Sequence, residues 1–409
     1  MDRVIVLGTD SPIGLGVIRD LGRNGYEVVG IGSHLRSLGL MSKYCSEAHV
    51  RKRQPEELIN QLVDIAQARP DDKTFLLSIG ESDINLINRH RQRLSQHLQL
   101  LDPDQPQMDK VLDKQTTLDA AAGVGIQTPM SIQLQQLEQL DKLQPQLKFP
   151  VILKWSNPHL VAQQLQQQGL SLLKLEYCSS YSELKSALQR YQPLQHYPLI
   201  QQYCPGHGLG QFFLCRDGES LVEFQHERIN EWPPEGGSST LCQALPPSEH
   251  AQAMARSRQL LKSLNWNGVA MVEYRYDPSS GDYWLMEING RFWGSFPLAS
   301  GSNIGFATNL VEAIGHGQSP RTFNPRYDLK SRYMIPELKR IARIVLQPDQ
   351  IADPFTRFSK TQELALFISR WFDPRCRFYV FEWTDPQPFL SDMRQAAAKI
   401  LKRLKPGSA

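Results

Sequence analysis

The chain has 409 residues, 41% hydrophobic and 21% charged, which suits an ordinary globular protein of about two to four domains. Forty-five Lys and Arg against 42 Asp and Glu leave a net charge of +3, too little surplus to attract a polyanion, so nucleic acid is not an expected partner. Six scattered cysteines without CxxC spacing argue against a disulfide framework and against a zinc site. "MDRVIVLGTD" is charged at once and its apolar run is too short for a signal peptide. No apolar run approaches the roughly 18–20 residues that span a bilayer. A cytoplasmic protein is expected.

In chain order, "RVIVLG" predicts a first strand and "TDSPIGLGVIRDLGRNG" a turn and helix closed by Gly25. "YEVVGIG" predicts a second strand, "PEELINQLVDIAQARP" an amphipathic helix and "TFLLSIG" a third strand. Such alternation implies a parallel sheet covered by helices. A dinucleotide site is rejected, because Gly14 and Gly16 are followed by Arg19 where GxGxxG requires glycine, and "GIGSHLRS" supplies no acid for a ribose. GxxxxGK[ST] is absent too. These glycines read as a tight strand-to-helix turn. "LLDPDQPQMDK" reads as a linker, and "DKQTTLDAAAGVGIQTP" as a helix ending at glycines and proline. "FPVILKW" and "YPLIQQY" are the clearest strands of the glutamine-rich stretch 131–203; strands dominate 209–291, and a helix is expected at about 304–315. The last ninety residues carry no readable motif. At their end, "PFLSDMRQAAAKILKRLK" spaces Phe389, Met393, Ala396, Ile400 and Leu404 helically among Lys399, Lys402, Arg403 and Lys405. That helix either lies on a membrane surface or packs on the domain with a solvated basic face.

The chemistry concentrates in "GVAMVEYRYDPSSGDYWLMEINGR". "DPSSGD" is a turn between two aromatic-rich strands, so Glu273 falls opposite Met286 or Glu287 of a β-hairpin. Facing carboxylates repel, and a divalent cation between them resolves the conflict. Mg²⁺ suits two carboxylates, the amide oxygen of Asn289 on the same strand face, and substrate phosphates; Mn²⁺ is an acceptable substitute. Arg291 continues the alternation toward an anion. A surface hairpin would explain two glutamates but not the ordered Glu-x-Asn-x-Arg. Lys154, inside "PVILKW", and Lys114, opening the helix at "DKQTT", are candidate phosphate contacts. Taken singly, Lys154 also reads as an edge-strand gatekeeper and Lys114 as an exposed charge.

In order, "DK…AGVGIQTP", "FPVILKW", "LIQQYCPG", "HERINEWPPEGG", Glu273 and "EINGR" resemble the ATP-grasp superfamily, in particular its carboxylate–amine ligases and the related biotin-carboxylase and carbamoyl-phosphate-synthase domains. The resemblance covers about residues 1–320. It implies a mixed α/β and α+β fold, with a parallel α/β domain at 1–105 and a two-lobed ATP-grasp domain at 106–320. The small lobe would span about 130–203 and the large lobe about 204–320, and residues 321–409 would be an extension of unknown role. It implies ATP and Mg²⁺ as cofactors, with Lys114 and Lys154 on phosphates and a hinge of Gln201, Gln202, Tyr203 and Cys204 on adenine. Glu273, Glu287 and Asn289 would hold metal, and Arg228 and Arg291 would contact the acyl phosphate or the acceptor carboxylate. The implied partners are a small carboxylate and an amine, and a homo-oligomer is compatible. Two departures are plain: Gln201 stands where the hinge often begins with Glu, and "KWSNPHLVAQQLQQQGLSLL", where the family has a glycine-rich phosphate loop, offers only Gly169. "PPEGGSST" is a candidate second lid. His207 and His226 read as surface or structural residues. The expected activity is ATP-dependent activation of a carboxylate as an acyl phosphate for attack by an amine or, less readily, a thiol. The alternatives are bicarbonate activation and a non-catalytic nucleotide-binding scaffold.

Overall fold

The computed structural model describes residues 2–404 apart from 156, 157, 174, 352 and 354, with side chains outside 158–160, 163 and 398–404. Strands β1 (Arg3–Leu7), β2 (Glu27–Gly32), β3 (Glu47–Val50), β4 (Thr74–Ser78) and β5 (Gln99–Leu100) form one sheet in the order β3-β2-β1-β4-β5. Every pairing in it is parallel. Helices α1 (Pro12–Arg23), α2 (Pro55–Gln67), α3 (Glu81–Arg89) and the one-turn α4 (Arg91–Leu94) make the crossovers, as strands buried on both faces require. The early glycines are packing residues. A Cβ at Gly14 would stand 2.7 Å from the Gly8 carbonyl oxygen, and one at Gly16 2.9 Å from the Phe296 ring.

The segment read as a linker is helical. Asp104 caps α5 (Gln105–Leu112) by accepting from the Gln107 N–H at 3.0 Å, with Pro106 in the first turn. "DPDQP" is thus a helix start, where proline costs nothing because the first-turn N–H groups lack helical partners. Asp113 caps α6 (Lys114–Gly123) in the same way.

A small antiparallel sheet, ordered β6-β9-β7-β8, joins β6 (Ser131–Ile132), β7 (Val151–Lys154), β8 (Glu176–Cys178) and β9 (Leu199–Gln202). Helices α7 (Gln139–Leu143), α8 (Pro158–Gln167) and α9 (Tyr181–Gln189) accompany it, around a core that includes Leu153, Trp155, Leu184 and Ile200.

The third sheet has seven strands. The long β10 (His207–Arg216) and β11 (Glu219–Trp232) pair with each other, and β12 (Ser238–Leu245) follows on β11. After α10 (Ala251–Ser263), the hairpin of β13 (Gly268–Asp277) and β14 (Asp282–Asn289) joins β10. Helix α11 (Phe296–Gly301) leads to α12 (Phe306–Leu310) and a π-turn to Gly315, which fulfils the expected helix near 304–315. Then β15 (Lys330–Arg332) adds to β12 and β16 (Cys376–Phe378) to β15, so residues beyond 320 complete this sheet. Helices α13 (Met334–Leu346) and α14 (Lys360–Ser369) separate those two strands, and α15 (Gln387–Leu404) ends the chain.

One core runs between the parallel and the seven-stranded sheets, joining Val4, Val6 and Leu77 to Phe212, Trp293, Phe296 and Phe306. Phe389 of α15 packs on its edge, and Ser391 and Gln395 both donate to the Arg36 carbonyl at 3.0 Å. The terminal helix is therefore docked at its start; the side chains of Lys399, Ile400, Lys402, Arg403, Leu404 and Lys405 lie outside the described residues. Among the described residues, no helix is long and apolar enough to cross a membrane.

Candidate active site

The small and the seven-stranded sheets enclose a cleft of about 460 Å³. Lys154 and Tyr177 reach it from the small sheet, and Arg228, Glu231, Glu273, Glu287 and Asn289 from the large one. Gln201 to Cys204 join the two, and Asp353 arrives from the C-terminal segment.

The β13–β14 register sets Glu273 directly opposite Glu287 and Met271 opposite Asn289. Asn289 lies two residues beyond Glu287 on the same face, and its amide nitrogen donates to a Glu287 carboxylate oxygen at 2.7 Å. Glu273 is largely buried, and Arg228 lies against it with 2.5 Å between guanidinium and carboxylate. The same guanidinium is 3.5 Å from Glu231 and donates to the Gly237 carbonyl at 3.3 Å.

Arg228 lies on β11 and Glu273 on β13, so the arginine must cross β10. Glycine permits the crossing: a Cβ at Gly208 would stand 2.6 Å from the Arg228 Cδ. Gly210, on the same face two residues along, pairs with Glu273. "HGLGQ" was the missed sign of a side chain lying across a strand. Glu231 was missed for another reason. Strict alternation puts residues three apart on opposite faces, but β11 shifts register on both sides of Asn230, which turns Glu231 toward Arg228.

Electrostatics follow from burial. Burial raises the Glu273 carboxyl above its ordinary value and Glu287 adds to that, against the pull of Arg228. For Arg228 burial opposes the charge, but Glu273 and Glu231 outweigh it and hold the guanidinium firmly charged. The Lys154 ammonium is lowered by burial and by Lys114, with Glu287 and Cys204 opposing. β7 is an interior strand of its sheet, which removes the edge-gatekeeper reading of Lys154. Lys114 is exposed on the first turn of α6, outside the cleft wall but close enough to act on Lys154. Arg291 lines the cleft and donates to the Phe292 carbonyl at 3.0 Å.

The hinge glutamines are fastened to the preceding strand. Gln201 donates to the Ser131 hydroxyl at 2.8 Å, and Gln202 exchanges bonds with the Met130 backbone at 2.8 and 3.2 Å. Burial pushes the Cys204 thiol up to about 12, so it presents an apolar, uncharged surface. The Tyr203 ring lies 6.2 Å from Tyr177 and 5.2 Å from Phe355. The stretch beyond 320, unreadable in sequence, thus supplies Asp353 and Phe355 to this end of the cleft. Glu235 to Ser239 of "PPEGGSST" line the same cleft, and Tyr177 donates to the Glu235 carbonyl at 3.0 Å. His226 is fully buried, 2.5 Å from the Ser295 hydroxyl, and burial pushes it down to about 3. It is a neutral structural residue, and His207 pairs with Glu227 at 3.3 Å.

Among the described residues, no three His, Cys, Asp or Glu side chains converge into a ready metal cage. Two carboxylates and an amide, all hard oxygen donors, fit a magnesium ion that takes its remaining ligands from phosphate and water. For that ion to reach Glu273, Arg228 must yield its place.

No family model matches the chain. A stretch of 99 residues is 30% identical to acetyl-CoA carboxylase 1 of Arabidopsis thaliana, covering 24% of this chain and 4% of that much longer protein. Similar solved structures include the biotin carboxylase domain of a thermophilic 2-oxoglutarate carboxylase bound to bicarbonate, with a TM-score of 0.60 and 15% identity over 80% of this chain and 73% of that one. The N5-carboxyaminoimidazole synthetase of Staphylococcus aureus, complexed with ADP, has a TM-score of 0.57 and 14% identity over 79% and 80% of the two chains. The L-amino acid ligase of Bacillus licheniformis has a TM-score of 0.54 and 14% identity over 77% and 74%.

Proposed function

The chain has the ATP-grasp fold, and on that premise we propose that it is an ADP-forming carboxylate–amine ligase that activates a small carboxylate as an acyl phosphate. The observation that carries this reading is the Glu273–Glu287 cross-strand pair with Asn289 beside it, facing Lys154 and the Gln201–Cys204 hinge across one cleft. Fold likeness to the biotin carboxylase, the synthetase and the amino acid ligase supports ATP-dependent ligation in general.

Adenine would lie at the hinge, between backbone groups of Gln202 to Cys204 and the apolar Cys204 side chain, with Tyr203 behind it. Lys154, and Lys114 on closure, would neutralise phosphate oxygens. Glu273, Glu287 and Asn289 would hold Mg²⁺, with Mn²⁺ as substitute, and the ion when bound would offset charge on the transferred phosphoryl group. A substrate carboxylate oxygen attacks the γ-phosphorus, the bond to the β-phosphate bridging oxygen breaks, and ADP leaves. The amine nitrogen then attacks the acyl carbon, inorganic phosphate departs, and the nitrogen loses a proton. Arg228 and Arg291 would orient the carboxylate and then the acyl phosphate, and positioning carries much of the rate in such transfers. We assign residues 1–105 and 106–320 to the domains expected from the sequence, with 321–409 contributing the Asp353–Phe355 side of the nucleotide site.

The test is ADP release with Mg²⁺ and ATP across panels of small carboxylates and amino acids. ADP release should be slow without the acid and accelerate with it, and hydroxylamine should trap its hydroxamate. A fast ATPase indifferent to every carboxylate, with no trappable product, would refute the ligase reading.

A further inference from the structure

Helix α14 is inverted relative to a normal surface helix. Apart from exposed Lys360 at its start, its charged residues point inward: Glu363 pairs with buried Arg340 at 2.8 Å, and Arg370, just past the helix, lies 3.8 Å from fully buried Glu337. Phe367, also inward, covers the buried Arg332 guanidinium at 4.6 Å. Its aliphatic residues Leu364, Leu366 and Ile368 are exposed. Leu364 and Ile368 share one face of the helix; in the turn just past its end Trp371, half-exposed with Arg332 at 5.3 Å from its ring, and Phe372, 82% exposed, continue the apolar stripe. Aromatic contacts extend the stripe from Trp371 through Phe378 and Phe381 to Trp383, which is 86% exposed. Arg377 is exposed beside it, as is Arg375, which lies 3.2 Å from the Asp373 carboxylate. Residues 321–409 carry 17 Lys and Arg against 9 Asp and Glu; Arg332 and Arg340 of these are buried beneath α14, while Arg357 and Lys360 before it and Arg375 and Arg377 after it are exposed.

We propose that this face, the outward stripe of α14 with the Trp371–Trp383 aromatic row and its arginines, docks the protein on the surface of an anionic lipid bilayer. Aromatic rings standing clear of the protein settle at the headgroup level, where an apolar body and a wet surrounding are both satisfied. Arginines beside them are drawn to anionic lipid. A second copy of the chain is the rival occupant, but symmetric pairing would set two basic faces against each other. The attachment is peripheral, by insertion of side chains, and does not depend on the ligase reading.

The test is flotation of the full chain with vesicles of phosphatidylcholine alone and with about one-third phosphatidylglycerol. Binding is expected to the anionic vesicles and to weaken with salt. Ile368→Asp with Phe372→Asp should abolish it. Arg375→Glu with Arg377→Glu should lower the partition coefficient by at least about tenfold. Both variants alter exposed side chains; the Ile368/Phe372 variant should keep the wild-type melting temperature, and the arginine variant should lower it only slightly, through loss of the exposed Arg375–Asp373 pair. Failure of the wild type to float with anionic vesicles overturns the proposal, as does equal flotation of the Ile368/Phe372 variant. A dimer in light scattering that the same variant dissolves, without vesicle binding, assigns the stripe to a second copy and also overturns it.

Discussion

Arg228→Met tests whether the guanidinium substitutes for a metal at Glu273. Arg228 lies 2.5 Å from Glu273 and 3.5 Å from Glu231, all three largely buried. Removing one partner of a buried pair costs about 3–5 kcal/mol because the remaining charge is left uncompensated. The residual exposure of the pair, near one-sixth for Glu273, places the cost at about 3 kcal/mol. For a domain of this size that corresponds to a melting-temperature drop of about 6–12 °C. The deficit should depend on pH. The folded Glu273 carboxyl titrates above its ordinary 4.5, so the folded state holds that proton more tightly than the unfolded chain. Its contribution therefore favours the fold below 4.5 and is lost as pH rises through the folded value. Without Arg228 the folded value rises further, so the variant should approach the wild type near pH 5 and fall furthest behind at pH 8. Millimolar Mg²⁺ should raise the variant's melting temperature more than the wild type's, since no internal cation competes for Glu273. Differential scanning fluorimetry over pH and Mg²⁺ reads all three effects. An unchanged melting temperature at pH 8, or a deficit indifferent to both pH and Mg²⁺, would show that Arg228 does not hold the site together.

Glu287→Gln removes an exposed charge without changing volume, so stability should stay within about 0.5 kcal/mol while Mg²⁺-dependent ADP release falls about 10²–10³-fold; wild-type turnover would sink its assignment as a metal ligand. His226, pushed down to about 3 by burial, is held neutral in the fold. Its contribution is complete above the unfolded value near 6.5 and is lost as pH falls toward 3, at up to about 1.4 kcal/mol per pH unit. Urea midpoints should show that slope, and His226→Gln should flatten it. Phe355→Ala removes the ring packed on Tyr203 and should weaken ADP binding about three- to tenfold by calorimetry; an unchanged affinity would place the C-terminal segment away from the base.

Local patterns carried the parts of this protein that local patterns can encode. The alternation of "RVIVLG", "YEVVGIG" and "TFLLSIG" with helical segments made the parallel sheet legible, because strands buried on both faces must be apolar throughout. "DPSSGD" marked the hairpin turn, and counting outward from it set Glu273 opposite Met286 or Glu287; the register decides for Glu287. Tertiary structure decided whatever depended on a partner distant in sequence. Arg228 meets Glu273 only because Gly208, on the strand between them, lacks a side chain. Glu231 turns to the same face through a bulge that no alternation rule anticipates. Asp353 and Phe355 reach the cleft because β15 and β16 extend the sheet that carries Glu273, a pairing between strands whose short sequences have no period to read. α14 could be recognised as inverted only once Arg340 and Glu337 were seen beneath it, since a helical period shows which residues share a face and not which face the rest of the chain will cover.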